Sequence, residues 1–192
     1  MKLLFHCCCG PCASACLESL CAEGIEPELL WYNPNIHPYT EYRSRRDSLA
    51  RLGEAENLKI TMIDEYGLRD FIRGVGSDFE NGPASRNAHR CLFCYRLRLE
   101  QAASCALRQG FDAFSSSLLA SPYQRHDAIR AIGEELAEQY HVAFAYRDFR
   151  PRFREGQHKA RALGLYMQKY CGCIFSEEER YLGNGRDATS YT

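Results

Sequence analysis

Short apolar runs alternate with amphipathic stretches along most of the chain. Runs of strand length occupy 3–5, 28–32, 58–63, 111–115 and 142–146. Between them, apolar residues recur at helical spacing, which predicts helices over 11–23, 39–57, 89–109 and 121–140. Strands that alternate with helices in this way pair in parallel through right-handed crossovers. The pattern therefore predicts an α/β fold with a parallel sheet.

The residues after 146 depart from this alternation. They comprise a basic segment, a helical stretch over 155–163 and a short last helix that Ser176 is expected to cap. No linker or low-complexity block divides the chain, so we expect one domain over 1–192. Within it, we expect 147–192 to form a helical appendage that covers a site on the core and carries ligands to it. The polar stretch 74–87 is expected to be a loop.

Cysteine usage and the N-terminal sequence bear on the compartment. The chain has 11 cysteines, an odd number, and its first apolar run is too short for a signal peptide. No apolar stretch approaches transmembrane length. We therefore expect a cytoplasmic protein with reduced thiols and no membrane contact. In that setting, clustered cysteines indicate metal ligands or redox catalysts.

Three groups of cysteines stand apart in the sequence. The first group follows the first strand, where the chain turns into a helix whose N-terminus favours thiolate over thiol. In the second group, a spacing of three puts both sulfurs on one helix face. In the third group, the N–H of Gly172 is expected to lie near a bound sulfide. The groups are Cys7, Cys8, Cys9 and Cys12; Cys91 and Cys94; Cys171 and Cys173.

The number of thiols points to more than one metal. The second and third groups together make a four-thiolate site, the number that zinc or an iron–sulfur cluster takes. One such site would leave the N-terminal thiols unused. The remaining cysteines lie among alanines and leucines at helical spacing, and we assign packing roles to Cys16, Cys21 and Cys105.

A second interpretation of the N-terminal thiols stays open. The Cys9-Gly10-Pro11-Cys12 sequence after a strand also matches a redox motif of two thiols. This interpretation predicts a thioredoxin-like dithiol oxidoreductase, or a zinc-binding protein built on the same motif. It gives no use to the second and third groups, so we rank it below metal redox chemistry.

Several motifs in matching order resemble the epoxyqueuosine reductase QueH family. The resemblance spans Leu3 to about Ser176. The motifs that carry it are His6 with Cys8-Cys9-Gly10-Pro11-Cys12, the loop Trp31-Tyr32-Asn33-Pro34-Asn35-Ile36-His37-Pro38, Cys91-Leu92-Phe93-Cys94-Tyr95-Arg96-Leu97-Arg98-Leu99, Ser121-Pro122-Tyr123-Gln124 and Gln168-Lys169-Tyr170-Cys171-Gly172-Cys173.

The resemblance implies a Rossmann-like (HUP-like) core and the last step of queuosine synthesis. In that step, an epoxide on the modified wobble guanosine of a tRNA anticodon loop is reduced to the alkene. The expected cofactors are a 4Fe–4S cluster and an adjacent mononuclear metal ion, taken as iron, without cobalamin. An electron donor of unknown identity is required.

The motifs also divide the candidate residues among roles. We expect Cys91, Cys94, Cys171 and Cys173 to hold the cluster, and Cys8, Cys9 and Cys12 to hold the second metal. The catalytic candidates are Cys8, Cys9, Tyr123 and His126. Net charge is only −1, so RNA contacts have to be local. Arginine binds phosphate through two hydrogen bonds and stacks on bases. Our candidate RNA contacts are therefore Arg43, Arg45, Arg46, Arg150, Arg152 and Arg154.

Overall fold

A computed structural model describes residues 1–76 and 89–183 of the chain. The strands in these ranges are β1 (Leu3–His6), β2 (Glu28–Trp31), β3 (Ile60–Met62), β4 (Ala113–Ser116) and β5 (Ala143–Phe144). The helices are α1 (Gly10–Ala22), α2 (Tyr39–Ala55), α3 (Leu68–Val75), α4 (His89–Gln109), α5 (His126–Tyr140), α6 (Phe153–Ala162) and α7 (Ile174–Tyr181). The α/β class that the hydrophobic pattern predicted is confirmed.

The five strands form one parallel sheet in the order β3-β2-β1-β4-β5. β1 lies in the middle, and every residue from Leu3 to His6 is fully buried. A strand buried on both faces is continuously apolar rather than alternating, which explains its Leu-Leu-Phe run. The predicted parallel pairing is therefore confirmed, with His6 of β1 in register with Leu30 of β2 and Ser116 of β4.

The strand order reverses between β1 and β4, as in doubly wound Rossmann-like sheets. At such a switch point the connections after the two strands leave in opposite directions and open a crevice beyond their carboxyl ends. Cys7 to Cys9 follow β1 and Ser117 follows β4, so the first cysteine group lies at this crevice.

One helix was not predicted, and two predicted helices begin elsewhere in the structure. α3 was not predicted; only its last two residues fall in the stretch 74–87 that was expected to be a loop, and residues 77–87 of that stretch lie outside the described residues. α5 begins at His126 rather than at Ser121, because the Ser121 hydroxyl accepts the N–H of Tyr123 in a local turn. α7 begins before Ser176, whose hydroxyl instead accepts the N–H of Gly172 at 3.0 Å.

The C-terminal helices pack directly on the core. α6 crosses α1 at Gly156, where a Cβ would lie 2.5 Å from the backbone N and Cα of Ala15. The two helix backbones can approach this closely only because Gly156 has no side chain. No helix within the described ranges is long and apolar enough to cross a membrane.

We predict that Gly156→Ala lowers the free energy of unfolding by about 1–3 kcal/mol, because the added methyl meets backbone that cannot move cheaply. Urea denaturation measures this. The matched control is Gly53→Ala in α2, where the nearest atom is the flexible Cδ1 end of Ile60. That change should be close to neutral, since alanine also favours the helix. Equal stability of both variants would contradict the close helix contact.

Candidate metal centre

The sulfurs of Cys8, Cys9 and Cys12 meet at the end of β1. All three lie within 4.8 Å of one another, and the Sγ atoms of Cys8 and Cys9 are 3.8 Å apart. Four thiolates at about 2.3 Å from one tetrahedral ion stand roughly 3.8 Å apart, so this spacing already suits a single metal ion. The three side chains are buried, at 8%, 0% and 5% exposure. The group could therefore hold a metal away from bulk water.

Local structure explains why these thiols converge. Cys9 occupies the cap position of α1 with extended backbone, and Pro11 lies in the first turn, where its missing N–H costs nothing. Cys12 is thus the third residue of the helix, in its first turn, and its side chain points back to the N-terminus. Ser117, at the end of β4, accepts the N–H of Cys8 at 3.0 Å and donates to its sulfur at 3.4 Å. The neighbouring strand therefore fixes Cys8.

The three thiols differ in acidity. Hydrogen bonds from Cys12 and Cys9, with the Ser117 hydroxyl and the charge of Arg98, hold the pKa of Cys8 well below its usual value despite burial. Burial raises the pKa of Cys9, and hydrogen bonding to Cys8 and Cys9 raises that of Cys12. Of the three thiols, Cys8 therefore loses its proton most readily, and metal binding displaces the protons of the others.

The loop after β2 closes the crevice on the other side. Asn33 is fully buried and donates its amide to the carbonyl of Cys7 at 2.9 Å. His6 bonds Ser116 Oγ at 2.8 Å and the Tyr32 carbonyl at 3.1 Å, and burial lowers its pKa to about 4. A neutral His6 therefore ties β1 to the end of β4 and to the loop after β2, and keeps the first cysteine group in place.

The second and third groups of cysteines also approach one another. Cys91 and Cys94 lie one turn apart on α4, and Cys171 and Cys173 lie just before α7. Burial raises the pKa of Cys94, and the charges of Cys173, Cys171 and Cys91 raise it further. The four thiols are therefore close enough to affect the ionisation of Cys94. Within the described ranges only Cys8, Cys9 and Cys12 reach single-ion spacing. Four thiolates are the number of protein ligands that an iron–sulfur cluster takes.

An apolar wall surrounds part of this second site. Cys94 and Cys173 are buried with Phe71 and Val75 of α3, the helix that was not predicted. On the other side, Arg90 of α4 pairs with Glu179 of α7. The ion pair joins α4, which carries Cys91 and Cys94, to α7, which directly follows Cys171 and Cys173. Cys171 is exposed, so the site keeps one side open to solvent.

Arg45 has a different role from the one expected. It is 1% exposed and donates to the carbonyls of Cys171 and Tyr170, both at 2.8 Å, and to Glu41 at 2.7 Å. A buried side chain with these partners does not offer its donors to RNA. It instead anchors the segment around Gly172, whose φ of 138° favours glycine.

The N–H of Gly172 donates to Ser176 Oγ, so the expectation that it faces a bound sulfide is wrong. The residue also approaches Arg45 closely, since a Cβ here would lie 3.1 Å from Arg45 Nη1. The glycine is therefore required by its backbone angle and by the arginine, not by a sulfide.

Besides Ser117, the polar side chains of Gln124, Gln168 and Arg98 touch the thiols, and the sequence analysis assigned none of them. The amides of Gln124 and Gln168 lie 3.3 Å from Cys171 Sγ and 3.5 Å from Cys12 Sγ. Arg98 donates to Cys94 Sγ at 3.1 Å. Arg98 follows Cys94 by four positions on a helix, a spacing that puts both on one face and could have revealed it. The glutamines carried no such signal.

The proposed catalytic pair lies next to Gln124. Tyr123 is 87% exposed, and His126 is buried with Nε2 3.3 Å from the Ser121 carbonyl. Neither side chain forms a hydrogen bond to a cysteine sulfur within the described ranges. Outside this region, Cys16 and Cys105 are buried as expected of packing residues, but Cys21 is exposed and does not pack.

The remaining candidate RNA contacts lie on the surface. Arg46 is partly buried and pairs with Asp47 and Asp64. Arg150 and Arg152 are exposed and pair with Asp148 and Glu155. No ion pair within the described ranges involves the last two candidates, the exposed Arg43 and Arg154.

Fold and site together define a class of protein: a Rossmann-like α/β protein with a thiolate metal site at the switch point of its sheet. The model of the family described as Epoxyqueuosine reductase QueH matches residues 3–179. The chain belongs to this family, and it is an oxidoreductase. Membership confirms the resemblance drawn from the motifs. It also disfavours the dithiol alternative, since a third thiol in contact with Cys9 has no use in an exchange between two.

Individual relatives agree with this assignment. A protein of Dehalococcoides mccartyi named Epoxyqueuosine reductase QueH is 35% identical over 180 residues, 94% of this chain and 94% of the relative. One of the same name from Acinetobacter baylyi is 35% identical over 193 residues, 97% of this chain and 86% of the relative. A solved tRNA methyltransferase subunit of Methanocaldococcus jannaschii has a TM-score of 0.49 at 14% identity, covering 82% of this chain and 75% of that one. That last likeness is too weak to carry an argument.

We predict that Arg45→Met lowers the free energy of unfolding by about 3–5 kcal/mol, because it leaves the buried Glu41 carboxylate without its cation. The matched control is Arg46→Met, the next residue of α2, whose ion pairs are half-exposed and worth about 1 kcal/mol or less. Chemical denaturation compares the two. Similar destabilisation of both variants would show that Arg45 does not anchor the cysteine segment.

Proposed function

We propose that this protein reduces epoxyqueuosine to queuosine at the wobble position of tRNA, with an iron–sulfur cluster and an adjacent metal ion. The observation that carries the proposal is the convergence of the Cys8, Cys9 and Cys12 sulfurs in a chain of the QueH family. The reaction takes up two electrons and two protons, turns the epoxide into an alkene and releases water. The site therefore needs an electron source, a group for the departing oxygen and proton donors.

The donor atoms fit both groups. A 4Fe–4S cluster is proposed to be held by four thiolates that lie close enough to interact electrostatically, the number that such a cluster takes. These ligands are Cys91, Cys94, Cys171 and Cys173. Cys8, Cys9 and Cys12 are proposed to hold one ion, taken as iron. Three protein ligands leave a fourth position free, as in catalytic metal sites. The C-terminal segment 147–192 thus supplies two cluster ligands to the single domain.

When bound, the cluster supplies electrons one at a time, and the second ion acts as a Lewis acid on the epoxide oxygen. The chain's own residues prepare the site. Ser117 fixes Cys8, and Gln168 lies beside Cys12 with its amide oxygen buried and unpartnered within the described ranges. That oxygen is available to a substrate hydroxyl. His126 keeps Nδ1 without a partner there too, so this ring nitrogen is available for a hydrogen bond to the substrate.

The surface beside the site suits an anticodon loop. Tyr123, at 87% exposure, presents a ring on which an unpaired base can stack, and this exposure fits RNA contact better than proton donation in a buried site. The exposed pairs Arg150–Asp148 and Arg152–Glu155 contribute little to stability, so phosphate can replace the carboxylates. Arg43, Arg46 and Arg154 complete the proposed contacts. We place the protein in the cytoplasm, where its thiols stay reduced and a one-electron donor can reach it.

Anaerobically purified protein should be brown and contain iron and acid-labile sulfide, because four thiolates hold the cluster. Cys94→Ala and Cys173→Ala should lose the absorption, whereas Cys8→Ala should keep most of it and lose activity. Cys105→Ala, on the same helix as Cys94, is the control and should retain both. Absorption spectra with iron and sulfide analysis decide the matter. Colourless protein holding only zinc would contradict the proposal, and loss of the whole chromophore in Cys8→Ala would contradict the division of ligands.

Binding to an anticodon stem-loop should weaken steeply with salt, because arginine–phosphate contacts release counterions. Changing Arg150, Arg152 and Arg154 to Ala should reduce the salt slope by about 1 for each phosphate that the protein no longer binds, without changing the cluster spectrum. Lys59→Ala is the control, since Lys59 lies at the amino end of β3, away from the site edge. Anisotropy titrations measure this. Equal affinity for epoxide-bearing and unmodified RNA, with no epoxide consumed by dithionite-reduced protein, would contradict the assignment.

A further inference from the structure

Arg98 is a fully charged side chain inside the protein. It lies on α4, one turn after Cys94, and is 2% exposed. Its Nε donates to the Cys94 carbonyl at 3.0 Å and its Nη2 to the Cys94 sulfur at 3.1 Å. Because a guanidinium does not deprotonate in proteins, this positive charge is permanent.

The charge of Arg98 has no carboxylate partner within residues 1–76 and 89–183. It forms no ion pair there, and the groups that act on it most strongly are the sulfurs of Cys94, Cys171 and Cys8. Burying an uncompensated charge is strongly unfavourable, so an anion has to balance it. Thiols are neutral, whereas thiolates that bind a metal are negative. The compensation is therefore complete only when the thiolates are formed.

Arg98 also acts on both cysteine groups. It lowers the pKa of Cys8 in the first group and contacts Cys94 in the second. Arg45, the other buried cation here, has Glu41 as its own counter-ion, so its net effect on the sulfurs is smaller. Within the described ranges, Arg98 is thus a buried cation without a carboxylate partner, and the groups that act on its charge most strongly are cysteine sulfurs.

We propose that Arg98 is the counter-ion of the cluster and raises its reduction potential, through its charge and its hydrogen bond to the Cys94 sulfur. The proposal rests on the proposed function, since it takes Cys94 and Cys171 as cluster ligands. One-electron reduction adds one negative charge to the cluster and its thiolates. A fixed positive charge and an N–H donor at a ligand sulfur stabilise the reduced form more than the oxidised form. Arg98 is a positioning residue in this scheme, since it touches a ligand and not the substrate.

The test is the midpoint potential of the cluster in anaerobic protein, measured by redox titration. Arg98→Gln removes the charge, and the equilibrium constant for reduction should fall at least tenfold, which is 59 mV for one electron. Arg98→Lys keeps the charge and should shift the constant by less than threefold.

The matched control is Arg108→Gln. Arg108 lies on the same helix and also donates to a cysteine sulfur, that of Cys105, at 3.1 Å. Cys105 is not a proposed ligand. The potential should therefore stay at the wild-type value, which separates the effect of the cluster counter-ion from that of any arginine–cysteine contact on α4.

Each result separates the inference from the proposed function. Wild-type protein without iron and sulfide overturns both. An intact cluster in Arg98→Gln with unchanged potential overturns the role of Arg98 alone. If Arg98→Gln loses the cluster, the Arg98→Lys variant decides between a role of the charge and a structural role. A cluster retained in Arg98→Lys with a near wild-type potential supports the role of the Arg98 charge. Absence of the cluster in both variants shows a purely structural role and overturns the inference.

Discussion

Negative charge on buried sulfur is the constraint on which the rest of this structure depends. Thiolates are needed to bind metal, yet burial disfavours them, as the raised pKa values of Cys9 and Cys94 show. Hydrogen bonds and buried cations offset this effect of burial. Ser117 and neighbouring thiols stabilise the Cys8 thiolate, and Arg98 sets a permanent positive charge beside Cys94. Many of the buried polar contacts around the site therefore serve to stabilise negative charge on sulfur.

The topology of the sheet brings the compensating groups together. β1 and β4 flank the switch point, so Cys8 and Ser117 meet although 109 positions separate them. The turn around Gly172 is held from another direction, by Arg45 of α2 and by the His37 N–H, which donates to the Gly172 carbonyl at 2.7 Å. Each cysteine group is therefore supported by an element remote from it in sequence. Rigid ligands at fixed separations are what a metal site needs for selectivity.

Local patterns predicted the elements well where periodicity was strong. α4 spans the predicted residues, and the central strands match to within a residue or two. The two misplaced helix starts share a cause. At Ser121 and Ser176, hydroxyls that could cap a helix bond other backbone groups, and the helices begin elsewhere. Competition between a cap and a turn is decided by neighbouring segments, which local sequence does not contain.

The sequence by itself determined the fold class and the cysteine groups, because strand and helix periodicity and the spacing of Cys91 and Cys94 act over a few residues. The tertiary structure alone decided which polar groups serve the sulfurs. Arg45 belongs to a run of arginines that resembles an RNA-binding surface, yet it is buried against Tyr170 and Cys171. Gln124 and Gln168 reach thiols that are 47 and 156 positions away. Such contacts depend on how distant segments pack, and no local pattern encodes the distance between them.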